Sequence, residues 1–336
     1  MAHGHMIPTL DMAKLVASCG VKATIITTPL DESVFSKTIQ RNKQVGNEID
    51  IHLIKFQAVE NGLPEGCERL ELVSSDDLLN NFSMATTMMK EPFQTASSRM
   101  PPQLSSDMFL PWTNDSAANI NIPRLDFHGT SYFALCVIDS IRRYKPFMNV
   151  SSDSDAFVVP NLPHQIKLTR TELSPFDRIK EEKNMSPMIK EVRELGLKGY
   201  GVIFNSFSEL EPDYAEYCTK VLGRKTWTIG PLSLCNMDIE DNAERGKKSS
   251  TDKHKCMKWL DSKKPSSIRI AREGVKREAI AKAIKRVMVD EEVEGFRRRA
   301  KEYKDMAREA VEEGGSSYSD LTTLLQDISS YSSTSN

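Results

Sequence analysis

Apolar positions at helical spacing open the chain. Leu10, Ala13, Lys14 and Ala17 recur every three or four residues across 8–19, with Met12, Leu15 and Val16 widening the apolar face. Pro8 suits a first helical turn and Gly20 the position past the last, so the pattern predicts a helix starting near Pro8. The β-branched run 21–27 predicts a buried strand directly after it. A helix joined tightly to a strand is half of a βαβ unit, and no strand precedes this helix in the sequence.

The same alternation continues downstream. Ile49 to Phe56 alternates as a second strand, and residues 61–66 form a loop. A methionine-rich helix is predicted over 76–93, a short strand over 122–128 and a helix from Ser131 to about Tyr144. Residues 145–175 read as loop. A helix over 185–196, a strand over 200–207, a helix over 209–222 and a strand over 225–231 come next. Strands alternating with helices at this spacing predict a parallel, doubly wound sheet.

Beyond a charged stretch at 236–255 come a short helix at 256–261, a long apolar-faced helix around Val275, Ala279, Ala283 and Val287, and a helix from Phe296 to Val311. A last helix is expected over 318–328, ending in a frayed, serine-rich tail. One stretch resists the pattern. Residues 95–105 are polar and carry Pro101 and Pro102 where a strand is wanted before Ser106.

Composition narrows the class. With 45 basic and 47 acidic residues the net charge is −2, so no field of one sign is available for nucleic acid or an anionic membrane. No apolar run approaches the roughly 20 residues of a membrane span, and no secretory leader is recognisable. Six dispersed cysteines, without C-x-x-C or zinc spacing, predict reduced thiols, a cytoplasmic protein and no metal site. G-x-G-x-x-G after a strand is absent, which argues against a dehydrogenase.

The reactive candidate is the imidazole of His5, in the polar turn His3-Gly4-His5 that is expected to open the first helix. On its own such a histidine is weak, because turn histidines usually have no catalytic role. Asp107 alone reads as an N-cap for a helix starting near Met108.

Longer motifs change that balance. GHMIPTLDMAKLVASCGVKATIITTP, SDMFLPWTNDSAANINIPRLDFHGTSYFAL, YGVIFNSFSELEPDYAEYC and KCMKWLDSKKPSSI together resemble the plant family-1 UDP-glycosyltransferases, especially the scopoletin/phenylpropanoid glucosyltransferase group. The resemblance implies an α/β protein of GT-B type. A Rossmann-like acceptor domain with a parallel sheet would span 1–235, without its first strand. A linker would span 236–255, and 256–330 would be a remnant of the UDP-sugar domain reduced mainly to C-terminal helices. The last helices would cross back onto the first domain.

The resemblance also implies inverting transfer of glucose from UDP-glucose to a hydroxyl of a small phenolic acceptor such as a coumarin, flavonoid or phenylpropanoid. His5 would be the base and Asp107 its orienting carboxylate, with Phe109 and Thr130 at the acceptor. UDP-glucose would be a co-substrate, and neither a cofactor nor an obligate protein partner is implied.

The donor side departs from the family. Its H-C-G-W-N-S core does not occur, and the chain passes from Ile268 to Glu273-Gly274-Val275 where the family continues for about 130 residues, the size of a small domain. No donor-binding residue is therefore assigned, and transfer by this chain is expected to be impaired or lost. The alternative is a non-catalytic remnant that binds small aromatic acceptors or a partner chain.

Overall fold

The computed structural model describes residues 3–97, 104–107, 110–174, 177–179, 190–192, 194, 199–235 and 293–334. The expected linker at 236–255, the helices at 256–261 and around Val275–Val287, most of the helix at 185–196, and Phe109 lie outside the described residues.

Helix α1 (His3–Ser18) starts earlier than the sequence pattern predicts, and Pro8 lies inside it. His3, Gly4 and His5 therefore belong to a helix rather than a polar turn. Proline cannot donate to the carbonyl four residues back. The turn after residue 128 passes close to that carbonyl, of Gly4: a Cβ added at Gly129 would lie 3.8 Å from it. At the other end Gly20 takes φ 78°, a left-handed conformation that favours glycine and turns the chain into β1 (Ala23–Thr27).

Helix α2 (Pro29–Gln44) leads to β2 (Ile49–Leu53), which pairs with β1 in parallel. The methionine-rich segment forms two helices, α3 (Asp76–Thr87) and α4 (Lys90–Ser97). Strand β3 (Leu104–Asp107) does form, although half of it falls in the stretch that looked unfit for a strand. Both prolines precede it, so neither removes a ladder donor.

Helix α5 (Thr113–Asn119), β4 (Arg124–His128) and α6 (Tyr132–Tyr144) come next, with Ser131 capping α6 through the Ala134 N–H. The segment expected to be loop holds an antiparallel hairpin, β5 (Phe157–Val159) with β6 (Ile166–Leu168). Strand β7 (Gly201–Phe204), helix α7 (Pro212–Glu216) and β8 (Thr226–Thr228) complete this part of the chain.

The expected single sheet is two parallel sheets among the described residues: β1-β2, and β3-β4-β7-β8. One face of the larger sheet buries Leu125, Phe127, Ile203 and Trp227 against Met12 of α1. The same cluster takes Leu321, Leu324 and Ile328 from the last helix, α9 (Ser316–Thr334), which comes after α8 (Val293–Val311). Helix α9 continues through the serine-rich tail to Thr334 rather than fraying near 328. Its Asp320 accepts from the Thr228 N–H at 2.7 Å and hydroxyl at 2.6 Å, which fixes it to the sheet edge. The C-terminal segment thus lies on the N-terminal sheet. The opposite face packs Val202 and Phe204 against Leu135 and Cys136 of α6.

Candidate active site

His5 sits in the first turns of α1, and Asp107 ends β3. Their side chains meet with Nδ1 2.6 Å from Oδ2. The imidazole side chain is 29% exposed and the carboxylate 4%, so one face of the ring reaches solvent while its partner is buried. A cation at a helix N-terminus is disfavoured by the helix dipole. The pairing works the other way. The hydrogen bond that His5 donates to Asp107 raises the His5 pKa above 6.5, burial opposes it, and the aspartate charge adds to the rise. An Nδ1–H donated to the carboxylate fixes the tautomer in which Nε2 is the basic nitrogen.

Asp107 is held by its backbone. The alternative reading of Asp107, as a helix N-cap, does not apply, because the residue ends a strand and the next described helix starts at Thr113. Its carbonyl accepts from the Leu110 N–H at 3.0 Å and from Arg124 Nη2 at 3.5 Å. Arg124, 3% exposed, donates Nε–H to Thr113 Oγ1 at 2.7 Å and Nη1–H to Asp126 Oδ1 at 2.5 Å. Thr113 Oγ1 also lies 2.9 Å from Ser106 Oγ, beside Asp107. Burial pushes Asp126 up to about 6, with Arg124 opposing.

Sequence reasoning missed Arg124, Asp126 and His128. The signal was the alternation of Arg-Leu-Asp-Phe-His in β4, which puts three polar side chains on one face of a fully buried strand. His128, stacked on Phe204 with ring centroids 5.7 Å apart, is pushed down to about 4 by burial and is neutral near pH 7.

Thr130 is exposed in the loop between β4 and α6, whose Gly129 packs on Gly4 and Pro8 of α1. The loop therefore lies at the same end of the sheet as His5. Glu211 anchors the start of α6 just beyond it. The Glu211 carboxylate accepts from Tyr132 N–H at 3.0 Å, Phe133 N–H at 2.7 Å and the Ser206 hydroxyl at 2.6 Å. An oriented imidazole at an open sheet end can take a proton from a hydroxyl near neutral pH. Among the described residues, no group of three His, Cys, Asp or Glu could hold a metal ion.

Known proteins resemble the chain in sequence and in fold, although no family model matches it. The chain is 51% identical to the scopoletin glucosyltransferase of Nicotiana tabacum over 463 aligned positions, which take in 99% of the chain and 97% of that protein. Against 336 residues, an alignment of 463 positions leaves at least 127 with no residue here. It is 49% identical to the anthocyanin 3'-O-beta-glucosyltransferase of Gentiana triflora, over 80% of the chain but only 56% of that protein. Among solved structures, the Glycyrrhiza uralensis UGT73P12 complexed with glycyrrhetinic acid 3-O-monoglucuronide superposes with a TM-score of 0.85 at 25% identity, over 100% of the chain and 95% of that protein.

Proposed function

This chain belongs to the plant family-1 UDP-glycosyltransferases, with their GT-B type fold, and from that premise we propose that His5 is the base that activates a small phenolic acceptor for glucose transfer from UDP-glucose. The observation that carries the reading is the 2.6 Å pairing of His5 with Asp107. The acceptor O–H gives its proton to Nε2 of His5. The oxygen forms a bond to the anomeric carbon as the bond from that carbon to UDP breaks, and the electron pair leaves on the β-phosphate. Attack opposite the leaving group inverts the carbon. Asp107 holds the ring and balances the imidazolium that results. Phe109 and Thr130 border the acceptor.

The domains divide on the same basis, with an acceptor domain at 1–235, a linker at 236–255 and a donor-domain remnant at 256–330. Transfer by this chain is impaired. Two facts support that part. The H-C-G-W core is missing from the sequence, and at least 127 positions of the alignment with the tobacco relative have no residue here. A leaving diphosphate needs preorganised donors, and none is assigned. The second reading, an acceptor-binding protein without turnover, rests on that same gap.

A cytoplasmic location fits the five described cysteines, all of them thiols, and no described helix is long and apolar enough to cross a membrane. Titrating the purified chain with a hydroxycoumarin, with and without UDP-glucose, tests the function. Saturable quenching of tryptophan fluorescence without glucoside is the expected result. Absence of binding would reject the acceptor site, and glucoside formation lost in His5→Ala would reject the impairment alone.

A further inference from the structure

Two thiols meet on the face of the larger sheet opposite α1. Cys136 lies within α6, and Cys218 lies in the π-helical turn Tyr217–Val221 that follows α7. They share one apolar cluster with Val202, Phe204 and Tyr214, and are 1% and 0% exposed. Cys136 Sγ lies 3.9 Å from the Tyr214 carbonyl. Cys218 stands one helical turn beyond Tyr214, so its side chain comes up beside that sulfur. The two thiols hydrogen-bond to one another. The proposed proton transfer at His5 uses neither.

The pair is asymmetric. Cys136 keeps its proton and Cys218 accepts it in hydrogen bond. That pushes the Cys136 thiol up, with burial adding to the rise. It draws the Cys218 thiol down, with burial opposing and the Arg224 charge assisting. Cys218 is therefore the readier nucleophile, and Cys136 is placed to resolve what forms on it.

Cys218 also lies just beneath the surface. Thr219, Lys220 and Val221, which follow it, are exposed. Its turn is closed by the Leu222 N–H on the Tyr217 carbonyl at 3.1 Å, a wide i to i+5 bond. Opening that one turn admits a molecule the size of water.

We infer that Cys136 and Cys218 form a reversible disulfide when the protein meets hydrogen peroxide. The Cys218 thiolate attacks one peroxide oxygen, the O–O bond breaks, and hydroxide leaves and takes up the proton that Cys218 released. Cys218 is then a sulfenic acid. The Cys136 sulfur attacks that sulfur, the S–O bond breaks, and water leaves with the Cys136 proton. Two thiols are oxidised to one disulfide and one peroxide is reduced to two waters. A small-molecule thiol reverses the bond, so in a reducing compartment it is transient. Glu211 already ties the start of α6 to this segment through the Tyr132 and Phe133 N–H groups. The disulfide adds a covalent tie one turn further along.

The test treats the folded full chain with hydrogen peroxide, blocks remaining thiols at acid pH and maps tryptic peptides without reduction. The expected product joins peptide 125–142 to peptide 199–220, with a mass two hydrogens below their sum, and dithiothreitol separates them. The bond closes a long loop of the unfolded chain, so the urea midpoint of the oxidised monomer should rise above that of the reduced one. Dimedone, which traps sulfenic acids, reads the order of events. Cys136→Ser keeps a donor beside Cys218 but cannot resolve it, so dimedone should label Cys218. In Cys218→Ser, Cys136 should stay unlabelled. The peptide map of the unsubstituted chain decides the matter even where a variant fails to fold.

Oxidation of the exposed Cys19 with Cys136 and Cys218 left as thiols would overturn the inference. So would a link that forms only in urea, a link that lowers the midpoint, or sulfinic acid at Cys218 without any link.

Discussion

His5 Nδ1 and Asp107 Oδ2 lie 2.6 Å apart, joining the start of the first helix to the buried end of β3. This contact orients the imidazole of a histidine at a helix start, the geometry on which its proposed role as a base rests. Because the aspartate raises the His5 pKa, the imidazole should titrate above 6.5 in histidine NMR spectra. Asp107→Asn removes the largest raising cause and leaves burial, so the midpoint should fall. A raised folded pKa gives stability that is fully present below 6.5 and is lost as pH rises through the folded value. Denaturation midpoints of the wild type should fall across that window, and those of Asp107→Asn should not.

Arg124 holds the floor of the site. Arg124→Met would leave Asp126, which is 0% exposed, without its cation. Breaking one side of a buried pair costs about 3–5 kcal/mol. Urea denaturation should show a loss of that order. Adding Asp126→Leu should recover part of it, because no buried charge is then stranded.

Glu211 caps α6 from outside the helix. Glu211→Ala leaves the Tyr132 and Phe133 N–H groups and the Ser206 hydroxyl without their carboxylate, a loss of about 1–3 kcal/mol for buried donors. Glu211→Gln keeps one acceptor oxygen and should lose less. Chemical denaturation of the two variants orders them. Acceptor binding should weaken more in the alanine variant, because the Thr130 loop leads directly into that cap.

The last helix is part of the N-terminal core. Leu324 is 2% exposed and packs in the cluster that holds Met12 and Ile203. Leu324→Ala should cost about 2–5 kcal/mol. Hydrogen exchange should speed up in α1 as well as in α9, since the two helices share that cluster.

Periodicity located most of the elements, and the reasons it failed elsewhere are physical. Helix α6 was legible because Ser131 is a good cap and the apolar spacing is regular. Helix α1 begins at His3 rather than near Pro8, where a proline usually opens a helix, because Met6 before the proline is fully buried with Leu10 in the core, and that packing outweighs one lost hydrogen bond. Strand β3 was hidden because its serines and aspartate are polar, and Arg124 and Thr113 supply the bonds that let such residues be buried. His5 and Asp107 were legible through the resemblance of long motifs. No local spacing pairs residues so far apart in sequence. Arg124, Asp126 and His128 were visible only as an alternation whose meaning depends on both faces of β4 being covered.

At the centre of the proposed chemistry, His5, held by Asp107, takes the proton of a phenolic acceptor. A hydroxycoumarin reports this without UDP-glucose, because its phenolate absorbs at longer wavelength than its phenol. Next to an imidazolium the bound phenolate is stabilised, so the bound dye should ionise at lower pH than the free dye. His5→Ala should remove that shift while the dye still binds. A bound dye that ionises at the same pH as free dye or higher, or a shift that survives His5→Ala, would contradict the claim.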